Sequence, residues 1–176
     1  FAPASIKVLL TASKIAGELL FINYARKHKF DMSIVRYHNV YGPRMGHEHV
    51  IPQFISRALK KENPFNIYGS EETRAFCFIE DAIRATYLVM ESKKTNMEIL
   101  NIGTMQELKL KELAKKVIIL AGYNPKIKVN KAPKGSVRRR CPDIAKIKKL
   151  TDYSPVVGID EGLRKTFAWY SKNLSK

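Results

Sequence analysis

Short apolar runs rich in β-branched residues alternate with amphipathic stretches along nearly the whole chain, and this alternation constrains the fold most. "MSIVRY" (32–37), "FNIYG" (65–69) and "EILNIG" (98–103) have the length and residue types of strands, and "KIKVNKAP" (126–133) alternates like an edge strand. Helices are predicted between them. The first runs from Ala12 to His28, with Ile15, Leu19, Leu20, Phe21 and Ile22 as its apolar stripe and basic residues at its end. Others cover 50–61, with Pro52 tolerated in the first turn, and a segment starting near Glu80 and Asp81. Three more span 108–123, 142–153 and 159–174. "HNVYGPRMGHEH" reads as a loop and "SEETRAF" as a turn. Strands alternating with helices make the class α/β.

The chain's 176 residues suffice for one domain with its own core. No apolar run has membrane-spanning length, so a membrane partner is not expected. The net charge of +16 invites a nucleic-acid reading, but the lysines are spread along helices. Arg138–Arg140 is the one dense cluster, and no nucleic-acid-binding motif accompanies it. Cys77 and Cys141 form no Cys-x-x-Cys pair, which fits a reducing compartment, the cytoplasm. Cys77 lies in an apolar run and reads as a buried small hydrophobe. "HEH" (47–49) lacks the helical His-Glu-x-x-His spacing and has no acid or cysteine cluster beside it, so no metal is expected. Glu71 and Glu72 read as a solvated turn. The chain has no initiating methionine and reads as a piece of a longer protein or a processed product.

Polar residues gather where strands should end. "RYHNVYGPR" places Asn39 just after a buried strand, and in open α/β sheets ligands sit at the carboxyl ends of strands. Asn101 ends another strand. Arg74 follows the "SEE" turn, and its guanidinium fork suits a phosphate, although taken singly it fits a surface ion pair. Lys134 and three arginines stand beside Asp143. Together they suggest an anion pocket of diphosphate type. The nine glycines contain no G-x-G-x-x-G arrangement, so the phosphate cradle of a dinucleotide site is not in this sequence.

"ASKIAGELL", "RYHNVYGPR", "VIPQFI", "IYGSEETRAFCFIEDAIRA", "LNIG" and "RRRCPDIAK" follow one another in a characteristic order and spacing. In this the chain resembles the NAD-dependent nucleotide-sugar epimerase/dehydratase family, the extended short-chain dehydrogenases. The resemblance implies the later strands and helices of an incomplete Rossmann-type NAD-binding domain, plus a small α/β substrate-binding domain. It divides the chain into an atypical segment 1–11 and a family portion 12–176. The substrate-binding part would run from about 40 onward, with returns to the Rossmann sheet near 75–103. Lys14 would be the active-site lysine, bonding the nicotinamide ribose and lowering the pKa of a neighbouring tyrosine. Tyr37, His38, Val40 and His49 would lie near NAD. Asn39, Arg74, Asn101, Lys134 and Arg140 would meet the substrate's diphosphate region or support it. Val50, Ile51, Pro52 and Tyr68 would border the base. The implied partner is a nucleotide sugar, UDP-linked, with a homodimer in full-length relatives. "GPRM", "TRAF" and "RCPD" lean toward the UDP-glucuronate decarboxylase branch. The family chemistry is transient oxidation of the sugar at C4, followed by epimerisation, dehydration or decarboxylation.

Leu10 departs from this pattern. It stands four residues before Lys14, where the family has its catalytic tyrosine, and leucine cannot accept a proton. The expectation is therefore a chain inactive alone, its start out of register with its ancestry. A non-catalytic sugar-nucleotide-binding paralogue is the alternative, and a basic nucleic-acid module the third reading.

Overall fold

The computed structural model describes residues 6–173. Helix α1 covers Ile6–His28, beginning six residues before the expected start at Ala12. Residues 1–5 of the atypical segment lie outside the described residues. Strand β1 (Ser33–Tyr37) pairs in parallel with β6 (Glu98–Ile102), in the register Ser33↔Glu98 to Tyr37↔Ile102. Between them come β2 (Val40–Tyr41), α2 (Val50–Leu59), β3 (Phe65–Tyr68), β4 (Thr73–Ala75), β5 (Cys77–Phe78) and α3 (Ile79–Glu91). After β6 follow β7 (Glu107–Lys109), α4 (Leu110–Leu120), β8 (Ile127–Asn130), β9 (Arg139–Arg140), α5 (Ala145–Leu150) and α6 (Ile159–Asn173). Strands β2 and β5 pair in parallel, as do β3 and β8, while β4 is flanked by antiparallel β7 and parallel β9.

The class is α/β, with parallel pairing dominant. Three segments depart from the sequence expectation, one being "HNVYGPRMGHEH", which contains the two-residue strand β2. "SEETRAF" contains a strand, β4, and the helix expected from 108 starts only at Leu110, because Glu107–Lys109 joins β4. The short β4 is held by partners far along the chain, so nothing local announces it.

The apolar residues form two cores. Helices α2, α4 and α6 cover β3 through Ile51, Phe54, Ile55, Phe65, Ile67, Leu113, Val117 and Leu163. The second core joins α3 and α5 to β6 through Ala85, Val89, Leu100, Ile102, Ile147 and Tyr153. The two-residue β2–β5 ladder is the seam between them. Successive strand side chains point to opposite faces. Accordingly Val40 and Cys77 pack into the second core, and Tyr41 and Phe78 into the first. Burial pushes the Tyr41 phenol well above its ordinary pKa and raises the Cys77 thiol as well.

A buried carboxylate braces the seam. Asp81, in the first turn of α3, is 1% exposed. It accepts from Val156 N at 3.0 Å, Val157 N at 2.9 Å and Arg84 Nη2 at 3.1 Å, tying the approach to α6 back onto α3.

Candidate functional site

The chain passes from β1 to β2 through His38 and Asn39, and this dipeptide ties three strand ends together. His38 N donates to Ile102 O at 2.9 Å, continuing the β1–β6 ladder. Its ring Nε2 lies 3.1 Å from Asn101 Oδ1 at the end of β6. Asn101 Nδ2 donates to the Asp143 carbonyl at 3.0 Å, and a carbonyl cannot donate back. The amide oxygen must therefore face His38, so Nε2 donates to it. Asn39 adopts φ 45°, a left-handed conformation that asparagine tolerates better than most residues. This turns its Nδ2 to the Ala75 carbonyl on β4 at 3.1 Å, while Cys77 N donates to the Asn39 carbonyl at 3.2 Å.

Lys14 is exposed on α1. Arg36 of β1 holds Glu18 of α1, with Nε donating to Oε1 at 2.7 Å. One helical turn from Glu18 on the same face is Lys14, and two residues on from Arg36 on the same face is His38. Leu10, one further turn along α1, is 58% exposed.

Other expected site residues divide. Tyr37 lies on the opposite face of β1, where its hydroxyl bonds Thr86 of α3 at 2.8 Å, and Val40 packs on the second core. His49 is the exposed residue before α2, without a capping side-chain bond. Ile51 is 0% exposed and belongs to the first core, Pro52 is buried, and half-buried Val50 packs against that core. Tyr68 is 54% exposed at the end of β3. Lys134 sits in an exposed turn and Arg140 on exposed β9, where it is the register partner of Arg74.

Arg74 and Glu72 differ from the sequence reading. Arg74 is buried, with Nη2 donating to Glu72 Oε2 at 2.7 Å and Nη1 to Thr73 O at 2.7 Å. Glu72 is therefore a buried ion-pair partner rather than part of a solvated turn. Glu71 does face solvent, where Lys111 and Lys109 hold its carboxyl down at about 2. A cleft of about 450 Å³ opens beside this pair, with Ser70, Asn130, Arg138 and Arg139 in its lining. Arg139 is engaged by Glu107, whose carboxyl it draws below the ordinary range, Thr73 assisting. Among the described residues no acid lies within ion-pair reach of Lys134, Arg138 or Arg140. Sequence reasoning missed the Glu18–Arg36 clamp and the inward turn of Glu72. The one local hint of the latter is Gly69, whose left-handed backbone starts that turn.

Residues 11–103 match the model of the NAD dependent epimerase/dehydratase family. The UDP-N-acetyl-alpha-D-glucosaminuronate decarboxylase of Bacillus cytotoxicus is 33% identical, over 96% of this chain and 55% of its own length. UDP-glucuronic acid decarboxylase 6 of Arabidopsis thaliana is 32% identical, over 92% of this chain and 47% of its own. The chain thus spans about half the length of these curated relatives. Among solved structures, the UDP-glucose 4-epimerase of Thermotoga maritima with UDP-glucose superposes with a TM-score of 0.84 at 31% identity, covering 93% of this chain and 53% of that one. The UDP-glucuronic acid 4-epimerase of Bacillus cereus, in complex with UDP-glucuronic acid and NAD, gives 0.83 at 27% identity, covering 92% and 52%.

Proposed function

The chain belongs to the NAD dependent epimerase/dehydratase family, and from that premise we propose that it binds a nucleotide sugar, UDP-linked, at the junction of β1, β6 and β4. The observation that carries the reading is the His38-Asn39 dipeptide, bonded at once to Asn101 and to the Ala75 carbonyl. It gathers three strand ends at one polar junction, and α/β sheets take their ligands at strand ends. The unpaired cations of Lys134, Arg138 and Arg140 supply charge for a diphosphate. Exposed Tyr68 offers an aromatic face for the base.

For the cofactor, the residues fit one end of NAD. Lys14, on α1 one helical turn before Glu18, would bond the nicotinamide ribose, and His38 would lie near the nicotinamide. Bound NAD would supply the hydride acceptor for oxidation at the sugar's C4, ahead of epimerisation, dehydration or decarboxylation. The sequence has no glycine-rich turn for the pyrophosphate of NAD. Leu10 leaves the lysine without a phenol to take the hydroxyl proton. The reading is accordingly binding without turnover by this chain alone, in a reducing, cytoplasmic setting. Two chains would pair through α1, which exposes Leu9, Ile15, Leu19, Leu20 and Phe21.

Calorimetric titration with UDP-glucose and UDP-glucuronate tests this, with NAD added in a parallel series. Saturable binding at micromolar concentration, with no rise in NADH absorbance, is expected. No heat with either sugar nucleotide at millimolar concentration would sink the proposal.

A further inference from the structure

The fold gathers lysines that the sequence scatters. Three segments meet at the amino-terminal rim of the β1–β6 ladder, the pole opposite His38 and Asn101. The last turn of α1 arrives there, followed by its link to β1. Met97 N donates to Met32 O at 2.6 Å and Ser33 Oγ donates to Thr95 O at 2.7 Å, so that link meets the 3₁₀ turn Lys93–Thr95 after α3. Ser92 Oγ donates to Leu150 O at 3.0 Å, which brings in the end of α5.

Each segment carries exposed cations. The end of α1 gives Arg26, Lys27 and Lys29. The 3₁₀ turn gives Lys93 and Lys94, and α5 gives Lys148 and Lys149. Among the described residues none of these has an ion-pair partner. The acids of the rim are fewer. Glu98 is taken by Lys146 and Asp31 accepts from Asn96 Nδ2 at 2.5 Å, which leaves Glu91 and Asp152. One basic residue in a last turn answers a helix dipole, and two or three at each end are a surplus. An aromatic pair stands within this charge. Tyr24 is 57% exposed and Phe30 42%, with ring centroids 5.8 Å apart and Arg26–Lys29 between them in sequence.

No described helix is long and apolar enough to cross a membrane. We propose that this rim is a peripheral docking surface for an anionic lipid bilayer, its lysines lying over the headgroups and the Tyr24–Phe30 pair entering the interface. Composition favours that partner over a nucleic acid. Six of the seven free cations are lysines, point charges that answer a density of negative charge, whereas phosphates at fixed positions favour the arginine fork. A cluster of about four to eight basic residues is what a negatively charged cytoplasmic leaflet attracts, and exposed aromatic rings add hold at the boundary. The opposite pole, with His38 and Asn101, then faces solution.

Co-sedimentation with lipid vesicles at about 0.1 M salt tests this. Phosphatidylcholine vesicles holding about 30% phosphatidylserine should carry the protein down, and phosphatidylcholine alone should not. Each lysine near such a surface is worth about fivefold in binding. Lys93→Gln/Lys94→Gln/Lys148→Gln/Lys149→Gln should therefore weaken binding by at least about a hundredfold. Lys60→Gln/Lys115→Gln/Lys126→Gln/Lys172→Gln removes the same charge from exposed positions elsewhere and should cost less than about tenfold. Phe30→Trp should move tryptophan emission to the blue on the anionic vesicles only. Wild type that stays in solution with anionic vesicles overturns the proposal. So does an equal loss in the two quadruple variants, since the attraction is then one of net charge. Wild type that ignores vesicles but binds a single-stranded RNA oligonucleotide, with loss in the rim variant, gives the rim to nucleic acid and overturns the proposal as well.

Discussion

Arg36 on β1 grips Glu18 on α1 through both arms of its guanidinium, with Nε 2.7 Å from Oε1. The clamp sets how far along β1 the helix sits, and with it the level of Lys14. Arg36 holds the Glu18 carboxyl below the ordinary carboxylate range. A lowered folded-state pKa stabilises at pH values above the unfolded pKa and is lost as pH falls through the folded one. The stability difference between wild type and Glu18→Gln should thus be full near neutrality and vanish in acid, below both pKa values. Because Arg36 is half-exposed, the difference should stay at or below about 1 kcal/mol and shrink with added salt. Urea unfolding across pH checks it, and a difference that grows in acid would refute it.

The same clamp makes Leu10 a usable position. It is exposed, one helical turn from Lys14, so Leu10→Tyr should cost less than about 0.5 kcal/mol in stability. The new phenol would lie at i,i+4 to an ammonium. A pair of that kind contributes about 0.3–0.5 kcal/mol, which lowers the phenol's pKa by about 0.3. Ultraviolet titration of Leu10→Tyr against Leu10→Tyr/Lys14→Ala reads the shift directly. Identical phenol titrations in the two would show that α1 does not bring the side chains together.

Asp81 offers a larger effect. Asp81→Asn keeps the shape but exchanges an acceptor oxygen for an NH₂ group facing the amides of Val156 and Val157. Leaving buried donors unpaired costs about 1–3 kcal/mol each, and Arg84 loses its charged partner as well. A loss of about 2–4 kcal/mol is expected, with faster hydrogen exchange at residues 155–158 ahead of global unfolding. A variant with an unchanged denaturant midpoint would contradict this account of the seam.

How much of this could be read beforehand depended on distance along the chain. Strands β1, β3 and β6 carry their own apolar runs, and α2, α3, α4, α5 and α6 their own periodicity. Each was legible because its cause is local. Strands β4 and β9 were not, since "TRA" and "RR" extend only where Arg74 meets Arg140 and Leu108. The candidate site divides the same way. Asn39 and Asn101 stood out because they follow strands. Their bonds to Ala75 and Asp143 did not, because those partners arrive from other elements. Of Glu71 and Glu72, identical in the sequence, the fold buries one and solvates the other. The choice was made by the Gly69 backbone and by Ser136, whose hydroxyl donates to Glu72. Ile51 and Pro52, expected to border the base, are buried for a related reason. Resemblance marks a segment, whereas helical phase decides which of its side chains turn inward.

Gly162 tests the seam from the side of α6. In open helix, Gly→Ala gains about 1 kcal/mol from propensity. Here the added Cβ would lie 2.1 Å from the Tyr41 hydroxyl and 2.9 Å from Phe78 Cδ2, both fully buried. Overpacking of that kind costs about 1–3 kcal/mol and occasionally more, so the clash outweighs the propensity gain. Gly162→Ala should lower stability by up to about 2 kcal/mol once both effects are counted. The hydroxyl is the worst contact, and its own bond to Ile159 O is long at 3.4 Å. Tyr41→Phe should therefore cost little alone and recover part of the loss in the double variant. A thermodynamic cycle over the two positions measures that coupling. Strict additivity would mean that α6 moves away from the seam as a unit, and the packing assigned to the β2–β5 ladder would be wrong.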